Sequence, residues 1–357
     1  MMTPGAVGSG SDGAPPGRLA RAWGEPVCRA AVRFRPEDFM VDEVLGFEPD
    51  GDGPHTLLLV RKTGANTDWV ARRLAREAGV AARDVGYAGL KDRQAVATQW
   101  FTIPGSPNLD PTGLAADGIE ILERSGHGRK LRRGSHRGNR FRLRLRRLEG
   151  RYPDIQQRLA RIARYGVPNY FGEQRFGRDG SNLALARALA SGARLDRRRR
   201  GFALSAARSE IFNQVLSERI SEGTWDRLRV GDLAMLDGSA SRFRIDHLSD
   251  DLESRAARLD LHPTGPLWGR GQPESAAETL AMELAVAGRL PDLVAPLVGA
   301  AMDHDRRALR LPVTGLDWNV ADQEMTVSFQ LPRGAFATAV LRELVNPEAR
   351  EPGTGDE

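Results

Sequence analysis

The most constraining feature of the sequence is a run in which arginine alternates with other residues, Asn-Arg-Phe-Arg-Leu-Arg-Leu-Arg, over residues 139–146. Successive side chains of a β-strand point to opposite faces, so this period of two predicts a strand. Phe141, Leu143 and Leu145 would pack into a core, and the arginines would cover the other face. Such a strand favours a sheet with one buried face and one solvated face.

This run belongs to a wider basic segment, residues 127–147, which contains ten lysines or arginines and no acidic residue. A row of cations on one face of a sheet is suited to binding phosphate groups. The alternative is an exposed strand that its charge keeps soluble. The whole chain has a formal charge of +5 and a pI of about 9.8, which is compatible with a polyanionic partner.

Length and composition exclude several classes of protein. The 357 residues predict two domains, with the 40% hydrophobic and 28% charged content of a globular protein. No apolar run reaches the ~20 residues of a membrane-spanning helix, and no secretory signal is recognised at the N-terminus. Cys28 is the only cysteine, which excludes an internal disulfide and a zinc site of paired cysteines and favours a cytoplasmic location. We predict no metal and no cofactor, since the histidines lack metal-ligand spacing and nucleotide-binding glycine loops are missing.

Other patterns predict individual elements. Asn66 supplies N-cap chemistry for an amphipathic helix over residues 68–79. Alternation over 325–331 predicts a strand, and the apolar spacing over 337–344 predicts a helix. These elements place helices beside strands in one mixed domain.

The middle of the chain carries a second cluster of arginines. Arg194 and residues 197–200 are predicted to form a basic loop, and Ser205 to cap the helix that follows. Such loops are most often only solvated, although this one could touch a nucleic acid.

One further stretch is a candidate for chemistry. Between Val85 and Ile103, the small residues Ala88 and Gly89 precede Lys-Asp-Arg, so that Asp92 is displayed between two cations in a tight turn. The local chemistry alone is also that of a solvated loop.

The same stretch, Gly89-Leu-Lys-Asp92-Arg-x-Ala95-x-x-x-Gln99-Trp100, resembles the signature loop of the TruD family of pseudouridine synthases. Other motifs resemble that family in its own order, between about Val32 and Leu344. They are Arg35-Pro-Glu-Asp-Phe39, Lys130-Leu-Arg-x-Gly134-x-x-x-Gly138-Asn139-x-Phe141, Gly166-Val-Pro-Asn-Tyr170-Phe171-Gly-Glu-Gln174-Arg175-Phe176-Gly, Leu204-Ser-Ala-Ala-Arg208-Ser-x-x-Phe212-Asn213-Gln214 and Leu331-Pro-x-Gly334-x-Phe336.

The resemblance implies that Asp92 is the catalytic nucleophile. Arg33 matches a basic position of the family and is the candidate charge partner of Asp92. Lys91 is a weaker candidate than Arg33 for the charge partner of Asp92, because adjacent side chains in an extended segment point apart. It is retained, with Arg33, among the residues expected to contact substrate.

Three further substrate contacts are implied. Phe39 would stack on the target base, although beside Met40 and Val41 it could also be a core residue. Asn139, predicted to open its strand, would hold the Asp92 loop or the edge of the uracil, or else cap a turn. Phe336 would lie by the target base or in the core.

The fold implied is α+β. A catalytic domain with a largely antiparallel mixed sheet flanked by helices would comprise residues 30–165 and 312–346. It would be interrupted by an inserted α/β TruD-specific domain, residues 166–311. We expect residues 1–29 and 347–357 to be disordered, since they have few large apolar groups.

The function implied is the isomerisation of a tRNA uridine, at position 13, to pseudouridine, without a cofactor. The partner would be tRNA, with no membrane and no protein partner implied. Whether Asp92 attacks uracil C6 or ribose C1′ stays open. Two alternatives remain: an RNA-binding or RNA-folding protein without catalysis, and a hydrolase that pairs Asp92 with Asp38 or Glu43.

Overall fold

The structure, a computed structural model, describes residues 19–348. The described residues form the strands β1 Cys28–Val32, β2 Phe39–Leu45, β3 His55–Thr63, β4 Gly86–Tyr87, β5 Val96–Pro104, β6 Ile119–His127, β7 His136–Gly150, β8 Val167–Pro168, β9 Leu233–Leu236, β10 Arg242–Arg244, β11 Leu261–Leu267, β12 Asp305–Ala308, β13 Arg310–Leu311, β14 Thr314–Ala321, β15 Glu324–Pro332 and β16 Val345–Pro347. Their α-helices are α1 Thr67–Glu77, α2 Pro111–Ala116, α3 Tyr152–Tyr165, α4 Ser181–Ala190, α5 Arg197–Ser221, α6 Asp250–Ala257, α7 Ala277–Gly288, α8 Pro291–Gly299 and α9 Ala337–Leu344.

The chain divides into two compact units. Residues 25–167 and 311–348 form the first, which we call the sheet unit, and residues 19–24 and 168–310 form the second, which we call the inserted unit. The assignment of a catalytic domain to 30–165 with 312–346 and of an inserted domain to 166–311 stays a prediction. Within residues 19–348, no helix combines the length and the apolar character needed to cross a membrane.

The sheet unit is built on one mixed sheet with the strand order β14-β15-β7-β2-β5-β3-β6. β2 runs parallel to β5, and β1 runs parallel to β16. The other pairings described in this sheet are antiparallel. The predicted α+β class with a largely antiparallel sheet is therefore confirmed.

β7 adopts the alternation that its sequence predicts. Phe141, Leu143 and Leu145 are buried, and the arginines between them, at 140, 142 and 144, are exposed. Phe141 packs against Phe329 of β15, with ring centroids 5.4 Å apart. The strand lies inside the sheet, between β15 and β2.

Helix α1 forms as predicted, and it packs against the sheet. The side chain of Asn66 accepts a hydrogen bond from the backbone N–H of Trp69 at 2.8 Å, which is the N-cap contact. Val70 and Leu74 are buried with Phe101 of β5 in one core cluster. Each such aliphatic side chain contributes about 1.5–3 kcal/mol by burial. The predicted strand at 325–331 and helix at 337–344 are likewise confirmed.

The inserted unit pairs helices with a small sheet. The strand order of this sheet is β10-β9-β11-β12, and the three pairings between these strands are antiparallel. The label α/β for this segment is therefore corrected to α+β, because an antiparallel sheet needs no crossover helix between neighbouring strands. Helices α4, α5 and α8 share a core that includes Ala186, Ile211, Leu293 and Leu297.

Two predictions for the middle of the chain are wrong. Residues 197–200 form the first turn of α5 rather than a loop, and Ser205 lies inside that helix. The cap is Asp196, whose side chain accepts hydrogen bonds from the backbone N–H groups of Arg198 and Arg199, each at 2.9 Å. Arginine has a high helix propensity, so a run of arginines after an aspartate extends the helix toward its N-terminus.

The ordered part of the chain begins earlier than predicted. Trp23 packs edge to face on Trp225, with ring centroids 5.7 Å apart, and the backbone N–H of Val27 donates to Leu344 O at 3.2 Å. The prediction of disorder is therefore wrong for residues 19–29. Residues 1–18, like residues 349–357 of the predicted tail, lie outside the described residues.

Candidate active site

Asp92 lies on the loop between β4 and β5, and 41% of its side chain is exposed. Arg33 Nη1 donates to Asp92 Oδ2 at 2.8 Å, and the backbone N–H of Gln94 donates to Asp92 Oδ1 at 3.1 Å. Both oxygens of the carboxylate are thus held by donors within the sheet unit. These contacts orient the group while it remains accessible to a ligand.

Arg33 connects Asp92 with Phe39. It directly follows β1, and its φ of 56° lies in the left-handed region, which costs a non-glycine residue roughly 1–2 kcal/mol. Its guanidinium carbon lies 4.0 Å from the centre of the Phe39 ring. A cation at this distance from an aromatic face is attracted by about 0.5–2 kcal/mol. The bent end of β1 therefore brings one cation to a carboxylate and an aromatic ring.

The loop that carries Asp92 is anchored by its backbone. Thr67, the first residue of α1, accepts a hydrogen bond from the backbone N–H of Lys91 at 2.9 Å through its Oγ1. Gln99 Nε2 donates to Gly89 O at 2.5 Å, and its Oε1 accepts from Thr67 Oγ1 at 3.0 Å. Lys91, Thr67 and Gln99 are buried, so the two bonds of Thr67 are shielded from competing water.

Lys62 is a site residue that the sequence analysis missed. Its side chain is fully buried, and its Nζ donates to Asp92 O at 3.1 Å and to Ala65 O at 2.5 Å. Burial lowers the pKa of Lys62 to about 8, against the attraction of the nearby Asp92. A signal was present in β3, where Lys62 shares the inward face with Leu58 and Val60, because a lysine at a core-facing position needs a specific partner.

Lys91 turns away from Asp92 into the protein. Its Nζ lies 2.6 Å from Glu43 Oε2, and both side chains are buried. Burial raises the pKa of Glu43, while Lys91 and the backbone N–H of Trp100 act in the opposite direction. Adjacent side chains thus point apart, as expected for Lys91 and Asp92. The predicted role of Lys91 in contacting substrate stays a prediction, and its ammonium is engaged with Glu43.

His136 and Gly89 adjoin this buried pair. A Cβ on Gly89 would lie 3.2 Å from His136 Cε1 and 3.3 Å from Lys91 Nζ, so only glycine fits here without displacing a neighbour. Burial lowers the pKa of His136 to about 4, and the charges of Lys91 and Arg333 act in the same direction. His136 is therefore neutral at physiological pH.

Asn139 is brought opposite the buried pair by strand register. It faces Glu43 of β2 on one side and Leu331 of β15 on the other. β7 begins at His136, so Asn139 lies inside the strand, and the predictions that it opens the strand or caps a turn are wrong. Its Oδ1 is buried and accepts no hydrogen bond from the residues that the structure describes. Such an acceptor costs about 1–3 kcal/mol, which a ligand with an N–H donor would recover.

The two predicted stacking residues differ in accessibility. Phe39 is 4% exposed and packs edge to face on Phe141, with centroids 6.1 Å apart. Because Arg33 covers its ring, a base could stack on it only after this guanidinium moves. Phe336 is half-buried at the N-terminal end of α9, so part of its ring is accessible.

Asp38 and Glu43 do not offer a second free carboxylate. Asp38 is buried and lies 2.7 Å from Arg146, as Glu43 lies beside Lys91. A hydrolase that pairs one of them with Asp92 is therefore disfavoured. Within residues 19–348, no three His, Cys, Asp or Glu side chains are arranged to hold a metal ion.

The arginines of β7 are partly compensated by acids. Arg144 and Arg146 both pair with Glu324. Arg140 and Arg142 are exposed, and no carboxylate between residues 19 and 348 forms an ion pair with them. Neighbouring strands thus bring acids beside part of a row that has no acid of its own. Strand alternation also places these arginines on the opposite face of the sheet from Asn139.

Known proteins match this chain over nearly all of its length. The family described as tRNA pseudouridine synthase D (TruD) matches residues 17–193 and 185–344. A protein of Methylococcus capsulatus named tRNA pseudouridine synthase D is 48% identical over 332 residues, covering 92% of this chain and 94% of its own. One of Ectopseudomonas mendocina with the same name is 47% identical, covering 91% and 94%.

The fold is also that of a solved structure. A crystal structure from Methanosarcina mazei, described as tRNA pseudouridine synthase D (TruD), superposes with a TM-score of 0.69 at 20% identity, covering 91% of this chain and 95% of that one. Identity this low shows the common fold, while the sequence matches show the family. This chain belongs to the TruD family of tRNA pseudouridine synthases.

Proposed function

We propose that this chain isomerises the uridine at position 13 of tRNA to pseudouridine, with Asp92 as the nucleophile. The observation that carries the proposal is the state of the Asp92 carboxylate, which is exposed and yet held at both oxygens. A nucleophile must be oriented before its substrate arrives, because misplacement by about 1 Å can cost 10²-fold in rate. Family membership supports the reaction class, an isomerisation in tRNA.

The reaction exchanges one bond of the nucleoside for another. The bond from ribose C1′ to uracil N1 breaks, the base rotates, and C5 joins C1′. The proton lost from C5 is balanced by the proton gained at N1, so no oxidant, reductant or water is consumed. Asp92 would form a transient bond to C1′ or to uracil C6, and would be released when the C1′–C5 bond forms.

The neighbouring residues have distinct proposed roles. Arg33 would orient Asp92 and would be displaced from the Phe39 ring if the target base stacks there. Asn139 Oδ1 accepts no hydrogen bond within residues 19–348 and would accept one from the N3–H of uracil. Phe336 would cover part of the base, since an aromatic contact is worth about 1–3 kcal/mol per base. These contacts would offset the few kcal/mol needed to flip a uridine out of a stack.

Lys62 and Glu43 are proposed to act on the loop rather than on the substrate, because their charged groups are engaged inside the protein. Lys91 pairs with Glu43 and is kept as a proposed substrate contact. The catalytic domain would comprise residues 30–165 and 312–346. The partner is tRNA, and the location that suits a tRNA-modifying enzyme with one cysteine is the cytoplasm.

The test is pseudouridine mapping on unmodified tRNA transcripts, incubated with the wild type, Asp92→Ala and Asp92→Asn, with RNA affinity measured in parallel. We expect product at position 13 with the wild type only, and similar RNA binding by all three. Asp52→Asn is the matched control, since this loop carboxylate is exposed and a change there should leave the rate unchanged. RNA binding without product across a full set of transcripts would favour the non-catalytic RNA-binding protein instead.

A further inference from the structure

The inserted unit contains a concave surface that has no part in the chemistry above. It is a basin of about 520 Å³ between the end of α4, the start of α5 and the end of α8. Its lining includes the apolar residues Leu189, Leu195 and Pro296 together with Gly299. Two arginines, Arg194 and Arg200, also line it. Its volume lies within the ~300–1,000 Å³ of sites that hold small organic groups.

The rim of this basin is strongly basic. Arg194 and residues 197–200 are all exposed, and within the described part of the chain no acidic side chain pairs with any of them. The acid within this segment, Asp196, is engaged with backbone N–H groups of α5. Cations in the first turn of a helix oppose its dipole. The helix propensity of arginine is shared by uncharged residues such as alanine and leucine. Propensity therefore does not account for the positive charge of this turn, whereas an anionic ligand does.

An exposed aromatic residue adjoins the same turn. Phe202 is 47% exposed, and the guanidinium of Arg198 lies 5.7 Å from its ring centre. Arginines interleaved with an exposed ring form a surface on which nucleobases stack and phosphates are neutralised. An anionic membrane would instead favour apolar side chains that protrude from the surface rather than line a basin.

We propose that this basin binds an unpaired nucleotide of the RNA substrate, other than the target uridine. The base would lie against Leu189, Leu195 and Pro296, and the flanking phosphates would lie on Arg194, Arg200 and the first turn of α5. The inference rests on the proposed function for its RNA, and it gives the inserted unit a role in affinity rather than in the chemical step.

The proposed contact of phosphates with Arg194 and Arg200 is tested with the double variant Arg194→Gln/Arg200→Gln. The matched control is Arg244→Gln/Arg270→Gln, which removes two exposed arginines of the same unit that pair with Asp246 and Asp303. For the first pair we expect the Kd for full-length tRNA transcript to rise about tenfold. The slope of log Kd against log salt should fall by about 1.5, since each lost phosphate contact changes it by roughly 0.7–0.9. Turnover at saturating RNA should be unchanged.

Occupancy of the basin is tested without changing charge. Gly299 has no atom near the position of an added Cβ, so Gly299→Leu would fill the basin without straining the fold. Gly288, the last residue of α7, has the same freedom outside the basin, and Gly288→Leu is the matched control. We expect only Gly299→Leu to weaken RNA binding, with an unchanged salt slope.

The outcomes separate this inference from the proposed function. If the wild type makes no pseudouridine on any tRNA, the proposed function is wrong. If it makes product and both basin variants bind RNA like the wild type, the basin inference is overturned. An equal loss of RNA affinity in the Arg244→Gln/Arg270→Gln control would also overturn the inference. The net charge of the chain would then explain the effect without a specific site. Tight binding of a free nucleoside monophosphate with unchanged RNA affinity would identify a small-molecule site instead and reject the RNA contact.

Discussion

Arg33 Nη1 lies 2.8 Å from Asp92 Oδ2, although the two residues are 59 positions apart in the chain. The same guanidinium lies over the ring of Phe39. One side chain thus links the proposed nucleophile to a proposed stacking residue. A base that stacks on Phe39 must displace Arg33, and this displacement would change how the Asp92 carboxylate is held when RNA binds.

We expect Arg33→Ala to lower turnover by about 10²-fold with little change in RNA affinity, because it removes the group that orients Asp92. Single-turnover kinetics with saturating enzyme would separate the two effects. Arg35→Ala is the matched control, since the Arg35 side chain is exposed in the same segment. Equal rates for Arg33→Ala and the wild type would contradict the orienting role.

Asn139→Ala separates a structural from a substrate-binding role. Oδ1 has no partner among residues 19–348, and such a buried acceptor costs about 1–3 kcal/mol, so its removal should not lower the free energy of unfolding. If the amide binds uracil, kcat/KM should fall roughly 10–100-fold, because leaving the buried N3–H of uracil unpaired costs about 1–3 kcal/mol. Urea unfolding and product formation check both. A large loss of stability with normal kinetics would argue for a purely structural amide.

Removing one partner of the Lys91–Glu43 pair should lower the free energy of unfolding far more than removing both. Glu43→Leu leaves the buried ammonium of Lys91 without its partner, and we expect a loss of about 3–5 kcal/mol. Glu43→Leu/Lys91→Met removes both charges and should regain most of that loss. Urea denaturation measures each variant, with Glu37→Leu as an exposed control from the same segment. Additive losses in the double variant would show that the two groups are not coupled.

The lowered pKa of His136 leads us to expect that the stability of the fold depends on pH. Its pKa is about 4 in the folded chain against an ordinary value of 6.5, because it is buried beside Lys91 and Arg333. Between these pH values the unfolded chain binds more protons, so the free energy of unfolding rises with pH, by up to about 1.4 kcal/mol per unit. Stability should therefore fall as pH drops from about 6.5 to 4.

His136→Gln should flatten this dependence, whereas His247→Gln, at an exposed histidine, should leave it intact. Urea unfolding at several pH values between 4.5 and 7 measures the slopes. Identical slopes for His136→Gln and the wild type would show that another group titrates.

Several features of the site could be predicted from local sequence. The alternation at 139–146 identified β7 and its buried face, and the N-cap of Asn66 identified α1. The motif around Asp92 identified the loop. The predicted cap at Ser205 was wrong because two local preferences favour an earlier start of α5. The preceding arginines have a high helix propensity, and Asp196 caps the helix before them.

Contacts between distant segments could not be predicted in the same way. Lys62 carries no motif, and its partner Asp92 O becomes visible only when β3 and the β4–β5 loop are packed together. Likewise, Asn139 faces Glu43 through the register of two antiparallel strands. A period of two tells which residues share a face, but not which strand lies beside it.

The sequence by itself determined the class of the fold, the family and the loop that displays Asp92, because these depend on residue patterns along one segment. Only the tertiary structure decided that Lys91 is buried against Glu43 and that Asn139 Oδ1 has no partner among residues 19–348. It also shows the contact between Arg33 and Asp92 that the resemblance implied. Those facts depend on strand order, register and burial, which arise when remote segments exclude water together.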